Sequence, residues 1–196
     1  MNTVNKLLAL SILLYIVITI GKIFTPVLQQ EIGYDLNKVQ TFSEANLKVI
    51  QPLDKDFGIV IDKIGANARV LKNIDPYDEN SYEQAFTEGI AHVDGSALPG
   101  QKGNIFLYSH NSSDSFKSSK YNFVFYLLGK LEKGDLITLY YENKPYKYKV
   151  QDKQIVVRSA IDYLSDNKTE ETLTLMTTWP PGTSLMRSVV HASRLQ

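Results

Sequence analysis

At 196 residues the chain has room for one domain and an appendage. With 43% hydrophobic and 21% charged residues it reads as globular and not disordered, and 21 basic against 21 acidic residues leave no basic patch to argue for nucleic acid. The absence of cysteine excludes a disulfide framework and any cysteine metal site, without fixing the redox compartment.

Leu7 to Ile20 is almost wholly apolar and is bracketed by Lys6 and Lys22. No Ala-x-Ala cleavage pattern follows, and extension to Leu28 reaches about 20 residues, enough to span a bilayer. Residues 1–28 are therefore expected to form an uncleaved signal-anchor, with Lys6 on the cytoplasmic side and the remainder outside. That places the protein in the cell membrane as a single-pass chain with an extracytoplasmic domain. Without Lys6 and Lys22 the rest carries 19 basic against 21 acidic residues, a net of −2. Residues 29–52 are polar, with Ile32, Leu36 and Val39 at helical spacing, and are expected to form a stalk or an N-terminal helix.

From 53 to 196 the pattern is one of short strands. Gly58 to Ile64 alternates, Gly65-Ala66-Asn67-Ala68 breaks it, and Arg69 to Leu71 resumes. Asp75 to Asn80 has loop chemistry, and Ser81 is positioned to cap a short helix, Tyr82 to Phe86, closed by Gly89. A small-residue loop around His92 and Asp94 runs to Pro99-Gly100, followed by the apolar strand Gly103 to His110. Asn111 to Asn122 reads as a loop or short helix, and Phe123 to Leu128 returns to the core. Lys133-Gly134-Asp135 is a turn and Leu136 to Tyr141 a strand. Beyond the turn at Glu142 to Pro145, Tyr146, Tyr148 and Val150 fall on one face and Lys147 and Lys149 on the other. Gln154 to Val157 is a further strand, and 159–169 a polar loop. Thr172 to Thr177 is a strand of β-branched and apolar residues, ended by Pro180-Pro181-Gly182. Leu185 to Ala192 is the last. Many short strands with turns between them predict an all-β, closed or nearly closed barrel.

Thr178 stands at the mouth of one strand and Arg187 inside the next, so pairing would bring a hydroxyl and a guanidinium to one end of a sheet. Of the three histidines, His110 closes an apolar strand before a polar loop, which suits a site as well as it suits a surface cap. His92 fits a hydrogen-bonded structural residue, and His191 a half-exposed position in the last strand. The three show no metal-ligand spacing. Asp162, Asp166, Glu170 and Glu171 read as a solvated loop with no calcium-loop spacing, so no metal and no cofactor is expected.

Thr174-Leu175-Met176-Thr177-Thr178, a loop and then a strand holding Arg187 resemble the signature of the sortases, membrane-anchored cysteine transpeptidases of the bacterial surface. Their strand reads Thr-Leu-x-Thr-Cys, so Thr178 occupies the position of the nucleophilic cysteine. The small-residue loop to Pro99-Gly100 and the strand ending in His110 match a second family stretch. Ile61-Asp62-Lys63-Ile64 resembles the first strand, with Asp62 where the family has proline. The likeness runs from Phe57 to Leu195 and implies an eight-stranded barrel with short helices behind one N-terminal transmembrane helix. It implies that His110 serves as acid and base, that Arg187 binds substrate and stabilises the oxyanion, and that Thr177 and Trp179 flank the substrate. The implied partners are a sorting signal of the Leu-Pro-x-Thr-Gly type, from surface proteins or pilins, and an amine acceptor such as a cell-wall precursor or a pilin lysine.

A cysteine can stand as thiolate near neutral pH, whereas a threonine hydroxyl needs a base during attack. Three readings of Thr178 stay open: a nucleophile replaced on purpose, a naturally inactive family member acting as a peptide-binding module, and a slow threonine nucleophile.

Overall fold

The structure, a computed structural model, describes residues 50–109, 124–157, 169–180 and 183–195, with residues 5, 7, 8, 10–19 and 32. His110, Asp162, Asp166, the loops expected at 111–122 and 159–168, and nearly all of the stalk expected at 29–52 lie outside the described residues. Residues 10–19 are helical. Their apolar side chains are exposed on every face, from Ile16 at 46% to Tyr15 at 72%. Among the described residues no helix is long and apolar enough to cross a membrane.

Among the described residues eight strands close into a barrel: β1 (Phe57–Ile61), β2 (Ala66–Ile74), β3 (Ile90–Val93), β4 (Gly103–Tyr108), β5 (Leu136–Tyr141), β6 (Lys144–Val157), β7 (Glu171–Trp179) and β8 (Met186–Arg194). Around the barrel the order is β1-β2-β3-β4-β7-β8-β6-β5. β2 pairs with β3 and β4 with β7 in parallel, and the other neighbours are antiparallel. The interior is filled by alternate residues, among them Ile59, Ile105, Leu107, Leu139, Tyr148, Leu173, Leu175 and Val190, all fully buried. Phe125, Leu127 and Leu128, around a 3-10 helix at Tyr126–Lys130, plug one end, as the return of this segment to the core requires.

Several elements differ from expectation for local reasons. The first strand ends at Ile61 and not at Ile64, and the break falls on Asp62 to Gly65 and not on Gly65 to Ala68. Gly65 takes a left-handed turn (φ 63°) after a 3-10 turn at Asp62–Ile64, and β2 begins at once with Ala66 and Ala68 packed inside. The helix α1 (Glu79–Glu88) is longer than expected. Its N-cap is Asp78, whose carboxylate accepts from Asn80 N–H and from Ser81 Oγ–H, so Ser81 lies within the first turn. Gly89 ends α1 as expected, and for want of space: a Cβ there would lie 2.5 Å from Arg69 O. Phe86 of α1 meets Tyr108 of β4 edge-on at 5.1 Å on the outer surface of the barrel.

His92 is not in a loop but in β3. The two strands expected at Tyr146 to Val150 and Gln154 to Val157 are one, β6, bent by a register shift between Val150 and Asp152 where it follows β8. The two-residue turn Glu142-Asn143, both at positive φ, gives the hairpin between β5 and β6.

Candidate active site

The end of the barrel where β4, β7 and β8 run side by side gathers the motif residues. Leu173 and Leu175 point into the core, so the even-numbered residues of β7, Thr178 included, face outward. Thr178 lies within β7, one residue short of its end, and its register partner on β8 is Arg187. Directly opposed residues on one face hold their Cβ atoms about 5 Å apart, so hydroxyl and guanidinium belong to one surface. Thr178 is only 1% exposed, and its Oγ1 has no hydrogen-bond partner among the described residues. Arg187 donates from one guanidinium nitrogen to the carbonyls of Ser184 (3.3 Å) and Met186 (3.0 Å), and no carboxylate among the described residues pairs with it. A buried hydroxyl beside a cation not neutralised by an acid is an arrangement that favours charge developing on an oxygen.

The neighbours of Thr178 take the opposite face. Thr177 Oγ1 donates to Ser109 O at 2.9 Å, and Ser109 N donates to Met176 O at 3.2 Å, which ties the end of β4 to the end of β7. Trp179 turns its ring toward Gly129, whose added Cβ would lie 3.3 Å from it. The structure thus brings Thr178 and Arg187 together and sets Thr177 and Trp179 beneath them, against the barrel. His110 follows Ser109 in sequence and lies outside the described residues.

The other two histidines are held elsewhere. The register shift in β2 between Leu71 and Ile74 takes Asn73 (φ 58°) out of the ladder, and Asn73 N–H donates to His92 Nδ1 at 3.2 Å. Nδ1 must then be the bare nitrogen. Nε2 carries the proton, facing Ala97 O and Ser96 Oγ, each at 2.9 Å. Ser96 in turn donates to Val93 O and accepts from Phe106 N–H. The pairing of Ser96 with His92 is therefore a structural clamp, because the imidazole nitrogen facing the hydroxyl has no lone pair to take its proton. Burial, foremost, lowers the His92 pKa below the ordinary histidine value.

On β8, His191 Nδ1 lies 3.2 Å from Thr174 Oγ1, whose own proton goes to Asn104 Oδ1 at 2.9 Å, so His191 donates here. Burial also lowers the His191 pKa. This polar row across β4, β7 and β8 shares the outer face with Thr178. Sequence reasoning missed it, although the alternation Thr172, Thr174 was its signal. Among the described residues no group of three or more His, Asp or Glu side chains is placed to hold a metal ion.

A closed eight-stranded barrel of this strand order, with an arginine on the last strand facing the end of the strand before it, is of the sortase type. A sortase-domain family model matches residues 59–195, and the chain belongs to the sortase family. Its fold is shared by sortase C-1 of Actinomyces oris (TM-score 0.61, 19% identity, covering 86% of this chain and 98% of that one). It is shared too by the Clostridium perfringens sortase D5 transpeptidase (TM-score 0.58, 22% identity, 86% and 94%) and by a lid mutant of sortase A of Corynebacterium diphtheriae (0.59, 19%, 81% and 78%). No curated protein matches the sequence.

Proposed function

We propose that this chain is a transpeptidase scaffold that receives a sorting signal across β4, β7 and β8, with Thr178, Arg187 and His110 as its reactive group, and that it is strongly impaired as written. The observation that carries the reading is the direct pairing of Thr178 with Arg187 at the position of the family's nucleophile. In the family's reaction a thiolate adds to the threonyl carbonyl of the Thr-Gly bond. The tetrahedral oxyanion is stabilised by arginine, and the C–N bond breaks as histidine protonates the departing amine. An incoming amine, deprotonated by histidine, then displaces the thiolate and forms a new amide. Arg187 suits its part because a guanidinium is always charged and offers fixed donors.

Thr178 does not suit the first step. Its hydroxyl stays protonated near neutral pH, and a base must remove that proton during attack. Thr178→Cys supplies a group with a pKa of about 8.5 that a nearby cation can lower. Loss of such a nucleophile costs on the order of 10⁶-fold in turnover, so Thr178→Cys should gain readily measured cleavage of Leu-Pro-x-Thr-Gly-type peptides. His110→Ala in that background should remove the gain. A folded Thr178→Cys variant inactive on a panel of sorting signals would instead favour a pseudo-enzyme that only binds. That second reading draws on the Thr178 hydroxyl, which has no hydrogen-bond partner among the described residues.

We also propose that the N-terminal segment anchors the domain to the membrane. The helical residues 10–19, apolar and exposed all round, suit lipid better than water. The acceptor amine is then one presented at the cell surface.

A further inference from the structure

An arginine side chain is long and rich in rotamers, so a guanidinium that serves one point needs something to hold it there. Among the described residues two contacts hold that of Arg187, and both use Nη1: the Met186 carbonyl at 3.0 Å and the Ser184 carbonyl at 3.3 Å. Nε and Nη2 are left for a guest. Met186 O belongs to the adjoining peptide and moves with the arginine itself. Ser184 O is the one anchor outside β8, which begins at Met186.

Ser184 and Leu185 are exposed, and among the described residues no hydrogen bond outside the ladder ties either of them to another element. The residue before them is tied. Thr183 N donates to Pro180 O at 3.0 Å, and Thr183 Oγ1 donates to the same oxygen at 2.8 Å. A threonine hydroxyl that reaches a carbonyl three residues back fixes the local backbone. Pro180 follows Trp179, the last residue of β7, so the carbonyl that takes both bonds lies two residues beyond Thr178. The path of contacts runs from β7 through Pro180 O, Thr183 and Ser184 O to Arg187 Nη1. Arg187 is therefore placed against Thr178 twice. Register across the ladder sets its backbone, and the Thr183 path sets its head.

Resting on the function proposed above, we infer that Thr183 is a positioning residue: it acts through Ser184 O on Arg187, so that Nε and Nη2 are presented to the oxygen that becomes the oxyanion. The hydroxyl is the separable part of this device, because the backbone N–H of Thr183 survives most substitutions. A misplacement of about 1 Å at a reacting centre costs about 10²-fold. Loosening one neutral hydrogen bond behind the anchor costs less, about three- to tenfold. The loss belongs to kcat, because the oxyanion exists only once attack has begun.

The test is a cycle of variants in the full chain carrying Thr178→Cys, read by cleavage of a Leu-Pro-x-Thr-Gly-type peptide. Thr183→Val keeps the shape and β-branching and removes the hydroxyl. It should lower kcat about three- to tenfold and leave KM within about twofold. Thr183→Ser should recover the rate. In an Arg187→Ala background Thr183→Val should have no further effect, since the group it acts through is gone. A threonine with a merely structural role fails this arm, because a weakened fold lowers the rate with or without Arg187. A kcat left unchanged by Thr183→Val, or a loss of the same size in both backgrounds, overturns the inference while the functional reading stands. If a folded Thr178→Cys chain cleaves none of a panel of sorting signals, the functional reading falls and takes the inference with it.

Discussion

Glu171→Ala should loosen the start of β7 by a predictable amount. Glu171 Oε1 accepts from Tyr148 Oη–H at 2.5 Å and from Gly100 N–H at 3.0 Å, and lies 3.6 Å from Arg194 Nε. One carboxylate thereby joins β6, β7, β8 and the loop before β4. Tyr148 is fully buried, and burial first, then the bond to Glu171, pushes its phenol far above the usual tyrosine range. Removing the acceptor leaves a buried hydroxyl unpaired, at about 1–3 kcal/mol. Loss of the partly exposed ion pair with Arg194 adds about 0.2–1 kcal/mol, and Gly100 N–H, nearer the surface, returns to water. The total of about 1–4 kcal/mol corresponds to a fall in Tm of about 3–12 °C for a domain of this size. Thermal and urea unfolding followed by circular dichroism would measure it, with Tyr148→Phe and the double variant as controls. Removing both partners is far milder than stranding one, so the double variant should be more stable than the sum of the single losses predicts, by at least about 1 kcal/mol. Strict additivity would refute the claim that the cost lies in a stranded hydroxyl.

Stability should also fall as the pH is lowered. His92 and His191 have folded pKa values lowered from 6.5 by burial, so their contribution is complete above about pH 6.5 and is lost as pH falls through the lower folded values. The urea midpoint should drop as the pH falls below about 6.5, and His92→Gln should flatten that slope. Arg187→Ala in the Thr178→Cys background should lower turnover by about 10²–10³-fold. Its melting temperature should barely move, because among the described residues the guanidinium bonds only the carbonyls of Ser184 and Met186 close by in sequence; unchanged turnover would remove Arg187 from the reaction. Fractionated cells should show the chain in membranes with its N-terminus intact, and a mature chain starting after Thr25 would show cleavage instead.

What the sequence disclosed depended on how local the signal was. The hairpin at Glu142-Asn143 and the alternation of Tyr146, Tyr148 and Val150 against Lys147 and Lys149 are legible because neighbouring residues make both strands. β3 was hidden. It has four residues, sits among glycine, serine and proline, and owes its strand state to parallel pairing with β2 and antiparallel pairing with β4. Ala66 and Ala68 looked like a break because alanine is a poor strand former, yet the crowded barrel interior calls for small side chains there. For the site, the motif on both sides of Thr178 located the end of β7 and its arginine partner. The His92 clamp is assembled from β2, β3 and the loop that follows, which no single stretch announces.

The strand order carries a consequence for how this protein comes into being. Before the last two strands arrive, β6-β5-β1-β2-β3-β4 is an open sheet with β4 and β6 as bare edges, a state prone to mispairing. The hairpin of β7 and β8 fills that gap, and it also carries Thr178 and Arg187. Closure and the creation of the site are therefore one event, timed by the arrival of β7 and β8. A chain that emerges N-terminus first cannot set Thr178 opposite Arg187 until β8 has formed, so a copy stopped before β8 lacks the site.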